Sequence, residues 1–182
     1  TGTSGADDGP SVQFPGMQVL PAPGTKIYFE ARVKVDMDNG DTIIGLSDSA
    51  SVTNLLGTGT VVVDKDMAVF FRDDGVADAK MGIQTGDGSN VDSADDVLTD
   101  VDKTAYETYG IVIDGDGATA GDTVKYYHKG VLVRTDSTLN TIPDKVMCPI
   151  FQVQAHTTAQ DLMDIDWFRL LVYNSTAGTV RV

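Results

Sequence analysis

Among the 27 acidic side chains of this 182-residue chain, only Glu30 and Glu107 are glutamates. A site that cleaves a glycosidic bond with retention needs two carboxyl groups about 5–5.5 Å apart, one as nucleophile and one as acid/base. On a β-strand, residues at alternate positions share a face and meet that requirement. Glu30 and Glu107 sit in separate segments and do not. The remaining cluster is Asp161, Asp164 and Asp166, in which Asp164 and Asp166 alternate. There, Met163, Ile165 and Trp167 are expected to pack inward and leave the two aspartates in solvent. No catalytic residue is assigned, and the chain is expected not to be an enzyme.

Oxygen ligands offer the next chemistry. Asp36, Asp38, Asn39 and Asp41 crowd around Gly40 as a hard cation would want. A tight turn alone also selects Asp, Asn and Gly, and the acidic stretch 92–102 is equally well read as ordinary loop. His128 and His156 are the only histidines and Cys148 the only thiol, which is too sparse for zinc. No metal site and no cofactor are assigned. No nucleophile elbow, phosphate loop or dinucleotide fingerprint occurs. Trp167, Tyr106, Tyr109, Tyr126 and Tyr127 can stack on a sugar, although aromatics in strands more often fill a core or pair across strands.

The elements that must position these groups are strands. Aspartate binds its own backbone and favours turns and caps, whereas glutamate is the acid that helices prefer. With 19 glycines and a hydrophobic fraction of 41%, the composition describes strands joined by tight turns. Thirteen basic against 27 acidic side chains leave a net charge of −14. A phosphate backbone needs a basic face, so nucleic acid is not an expected partner. No apolar run reaches the ~20 residues of a membrane-spanning helix, and no membrane partner is expected. The lone Cys148 provides no disulfide framework.

Residues 1–10 read as a flexible arm, residues 11–173 as a single domain and residues 174–182 as a tail. Within the domain, Ile27, Phe29, Ala31, Val33 and Val35 alternate with charged and polar residues in a strict period of two. Asn39-Gly40 suits a type I′ turn, which predicts that Thr42–Leu46 returns as the hairpin partner of that strand. Further strands are predicted at 61–63, 66–72, 80–85, 106–113, 124–128, 131–135, 150–155 and 162–173. The acidic stretch 90–103 is predicted to be an exposed loop with a short strand near Val97. Turn signals every 8–12 residues and no helical stripe give an all-β antiparallel sandwich.

Four ordered stretches resemble the concanavalin A-like jelly roll of lectins, laminin-G-type modules and some glucanases. They are Ile27–Val33, Tyr106–Ile111, the strand–turn–strand Val124–Thr135 about Gly130, and Asp164–Leu170 with Trp167 at its centre. A narrower resemblance is to structural proteins that decorate the heads of tailed bacteriophages. It rests on Ile44-Gly45-Leu46-Ser47-Asp48, on Val69-Phe70-Phe71-Arg72-Asp73-Asp74-Gly75, and on Ile142-Pro143 ahead of the penultimate strand. That resemblance implies a non-enzymatic capsid decoration or cement protein on the virion exterior. Its partners would be the major capsid protein and like subunits, as a homo-oligomer with a trimer the first choice. The competing reading is a carbohydrate-binding, lectin-like module with a glycan as partner.

Overall fold

The structure, a computed structural model, describes residues 9–35, 40–48, 65–72, 80–155, 162–174 and 179–181. Every regular element among them is a strand: β1 (Ser11–Gln13), β2 (Thr25–Val35), β3 (Gly40–Ser47), β4 (Asp66–Arg72), β5 (Met81–Asp87), β6 (Val91–Leu98), β7 (Glu107–Asp114), β8 (Thr123–His128), β9 (Val131–Asp136), β10 (Cys148–Ala155), β11 (Met163–Asn174) and β12 (Thr179–Arg181). They form two six-stranded antiparallel sheets, ordered β1-β10-β3-β4-β5-β6 and β12-β11-β2-β7-β8-β9. Much of the arm at 1–10, the strand predicted at 61–63 and much of the tail lie outside the described residues.

The alternation in β2 does what its period requires. Ile27, Phe29, Ala31, Val33 and Val35 are buried, while Tyr28, Glu30, Arg32 and Lys34 point to the other side. Between the sheets, Phe70 meets Tyr109 and Tyr126 edge-on, each with ring centroids 5.3 Å apart. The Tyr126 hydroxyl stays satisfied in that core: it donates to the Gln84 carbonyl at 2.8 Å and lies 2.8 Å from Thr85 Oγ1. Phe14 closes one end of the core against Phe168, at 4.5 Å between centroids.

Two expectations are corrected. β2 and β3 do not pair. β2 lies between β11 and β7 in the second sheet, and β3 lies between β10 and β4 in the first, so the connection after Val35 crosses between sheets. The acidic stretch is also more strand than predicted: the short strand near Val97 extends back to Val91, and Val91–Leu98 forms the edge strand β6 beside β5, leaving only Asn90 and 99–103 outside it. Two of its three aspartates are met by cations: Arg134 binds Asp92 at 2.9 Å and Lys80 binds Asp96 at 2.6 Å. By contrast, the predicted β8–β9 hairpin forms around Lys129 and Gly130, both at positive φ as a type I′ turn demands.

The central strands β10, β3, β4 and β5 of the first sheet are buried on both faces. Ile44, Leu46, Ala68, Phe70 and Ile83 face the inter-sheet core, while Ile43, Met67, Val69, Phe71 and Ile150 form a second cluster on the far side. A polar row continues that far side. Ser11 lies opposite Gln152, and Gln154 opposite Asp41.

Candidate functional site

The outward face of the second sheet gathers the groups that the sequence holds apart. On β2 the even-numbered residues face out, and register with β11 sets Lys34 beside Asp164, Arg32 beside Trp167, Glu30 beside Arg169, Tyr28 beside Leu171 and Lys26 beside Tyr173. An irregularity between Ile165 and Trp167 inserts one residue and shifts the alternation of β11 by one. Phe168 and Leu170 then turn inward, while Trp167 turns outward. The expectation that Met163, Ile165 and Trp167 all pack inward is therefore corrected: Trp167 is 39% exposed and Ile165 37%. With Tyr28, Tyr106 and Tyr173, also 39–40% exposed, Trp167 makes this the aromatic face of the molecule.

Charge is interleaved with the rings. Lys26 pairs with Asp114 at 2.6 Å, Lys34 with Asp164 at 3.1 Å, Arg169 with Glu30 at 2.5 Å, and Arg32 with Asp166. The Asp114 carboxylate, as hydrogen-bond acceptor and as countercharge, raises the Lys26 ammonium above the ordinary lysine value. Arg32 Cζ stands 5.1 Å from the Tyr106 ring centre and Lys34 Nζ 5.8 Å, and Arg169 Cζ stands 5.8 Å from that of Trp167. Asp164 and Asp166 are thus outward, ion-paired carboxylates.

Tyr106 is fixed from beneath by its neighbour. Glu107 begins β7 and takes the inward side opposite Val33, at 4% exposure. Its carboxylate lies 2.7 Å from His128 Nε2 and accepts from Lys129 Nζ at 2.6 Å, the Asp102 amide at 3.0 Å and the Tyr109 hydroxyl at 3.4 Å. Tyr109 stacks on the His128 ring, with centroids 5.2 Å apart. Burial, then the Glu107 charge, pushes the Tyr109 phenol well above the usual tyrosine value. Glu30 and Glu107 therefore occupy opposite faces of one sheet and do not form a carboxylate pair.

The five aromatics singled out by sequence divide. Tyr109 and Tyr126 belong to the core, Trp167 and Tyr106 to the outward face, and Tyr127 lies half-buried on that same face beside Leu132. Tyr28 and Tyr173 were missed, although the position of Tyr28 in the alternation of β2 was sufficient to find it. Asp36, Asp38, Asn39, His156 and Asp161 lie outside the described residues, and Asp41 is fully buried. Among the described residues no three metal-binding side chains come together. Sequence also gave no sign of Gln154, which is 0% exposed with neither amide atom hydrogen-bonded, or of the unpartnered Ser11 Oγ and Gln13 Nε2.

No protein-family model and no curated sequence matches this chain. Solved structures do. A β-1,3-1,4-glucanase (lichenase) from a mouse hindgut metagenome superposes with TM-score 0.61 at 12% identity, over 91% of this chain and 71% of that one. The fold is a concanavalin A-like jelly roll. Bacillus licheniformis β-glucanase gives a TM-score of 0.60 at 14% identity, over 90% and 78%. The carbohydrate recognition domain of Emp47p gives 0.61 at 9% identity, over 92% and 80%. The jelly roll therefore has both glucanases and carbohydrate-recognition domains as neighbours.

Proposed function

We propose that this chain is a non-catalytic carbohydrate-binding module that works through the outward face of its second sheet. The observation that carries this reading is the exposure of Trp167, Tyr28, Tyr106 and Tyr173 on one sheet face. Flat rings left in solvent on a rigid scaffold are unfavourable for the free protein and mark a recognition surface. Pyranose rings offer such a surface both an apolar C–H face and hydroxyl groups for the interleaved charges. The non-catalytic part rests on Glu30 and Glu107 facing opposite ways, and on Asp164 and Asp166 each being held by a cation.

Attachment to a phage head, implied by the narrower sequence resemblance, draws on the same rings, because Trp and Tyr also anchor protein interfaces. Electrophoresis through gels containing dissolved polysaccharides separates the two. Retardation that Trp167→Ala abolishes supports carbohydrate binding. No retardation in any polysaccharide, together with co-sedimentation on intact phage heads, overturns it in favour of decoration. Release of reducing ends from β-glucan that Asp164→Asn or Asp166→Asn removes would overturn the non-catalytic reading.

A further inference from the structure

We infer that the carbohydrate taken by this face is a polyuronate, recognised through its carboxylates by Arg32 and Arg169. The inference rests on the carbohydrate-binding reading and narrows it to one chemical class. The rings suited to stacking are already attended by cations: Arg32 and Lys34 at Tyr106, and Arg169 at Trp167. A neutral sugar stacking there has to share the ring with a guanidinium and offers that group only uncharged hydroxyl acceptors. A sugar that carries a carboxylate keeps the cation in place and adds a charge-assisted hydrogen bond to it.

The guanidinium forks are only half used. Arg32 reaches Asp166 through Nη1, and Arg169 reaches Glu30 through Nη2. Among the described residues each fork thus keeps a second nitrogen available, and planar carboxylates bind such forks through two parallel bonds. Both arginines are well exposed, with side chains 42% and 63% accessible. The carboxylates they hold now show that the geometry already accepts this group.

Local charge agrees. Among the described residues, the outward positions of the second sheet carry Lys26, Arg32, Lys34, Lys125 and Arg169 against Glu30, Asp114, Asp164 and Asp166. That leaves one net positive charge, on a chain whose total is −14. Charge beyond about 8 Å at physiological ionic strength is largely screened from a ligand on this face.

The test is affinity electrophoresis of the full chain in gels containing polygalacturonate, neutral β-glucan or dextran sulfate. Polygalacturonate is expected to retard the protein most. Arg32→Gln and Arg169→Gln should each weaken that retardation at least tenfold, while Lys80→Gln, at a cation paired with Asp96 just ahead of β5, should leave it unchanged. Far-UV circular dichroism and the melting temperature of each variant check that folding is retained. Equal retardation by neutral β-glucan, insensitive to both arginine variants, overturns the polyuronate assignment and leaves the carbohydrate reading standing. Stronger retardation by dextran sulfate overturns the carboxylate preference. Retardation by none of the three overturns both readings together.

Discussion

Glu107 and His128, on neighbouring strands of the second sheet, hold each other at 2.7 Å with both side chains almost wholly withdrawn from water. The pair joins the start of β7 to the end of β8. Through the Asp102 amide and the Lys129 ammonium it also fastens the connection before β7 and the β8–β9 turn. A carboxyl group buried this deeply is tolerated because His128, Lys129, the Asp102 amide and the Tyr109 hydroxyl all lie within hydrogen-bonding distance of it.

Removing Glu107 is therefore expected to be costly. Glu107→Ala strands His128 and the Asp102 amide, and breaking a buried pair in this way costs about 3–5 kcal/mol. Urea unfolding should show the loss as a lower midpoint at unchanged slope. Glu107→Gln, which keeps an acceptor oxygen, should lose less than the alanine variant.

Gln154 should behave in the opposite sense. Its amide is buried on the far side of the first sheet without a hydrogen bond, beside the apolar cluster of Ile43 and Ile150. Gln154→Met keeps the length and removes the unsatisfied dipole, and is expected to stabilise the fold by about 1 kcal/mol. A loss of stability in the same urea assay would show that the amide has a partner in solution.

Phe29 tests the core. Its ring is 1% exposed, in contact with Phe151 at 6.1 Å between centroids. Phe29→Ala should cost about 3–5 kcal/mol, from lost transfer energy and the cavity left behind. Thermal unfolding followed by circular dichroism reads it directly.

Asp144 gives a pH prediction. Partial desolvation and the facing Asp66 carboxylate hold its carboxyl above the ordinary aspartate value, and Asp66 itself is engaged by the amides of Asp144 and Lys145 and by Lys145 Nζ. A carboxyl raised in the folded state favours folding at acid pH, and that contribution is lost as pH rises through the folded value. Asp144→Asn should therefore be more stable than the parent at neutral pH. The difference should close as pH falls below the usual aspartate value of 3.8. Melting temperatures across a pH series check the sign, and a gain confined to acid would contradict it.

The sequence by itself determined what depends on near neighbours. The alternation of Ile27 to Val35 gave a strand and its buried face, because side chains of a pleated chain point to opposite sides whatever lies beyond. Lys129-Gly130 gave a hairpin, because two positive φ angles close the shortest antiparallel turn. The outward placement of Asp164 and Asp166 was legible in the same way, whereas their ion pairs with Lys34 and Arg32 depend on a strand distant in sequence. Sheet membership was not legible: an Asn-Gly signal ahead of Thr42 fits a hairpin, but β2 is claimed by β7 and β11 and β3 by β4 and β10, and only those long-range partners bury both strands. Nor was the full length of the strand at Val91–Leu98, whose aspartates read as loop until Lys80 and Arg134 arrive from elsewhere in the chain. The candidate surface turns on one residue. The single irregularity beside Asp166 flips Trp167 from core to solvent, and a bulge is set by how two distant strands pair, which no local pattern contains.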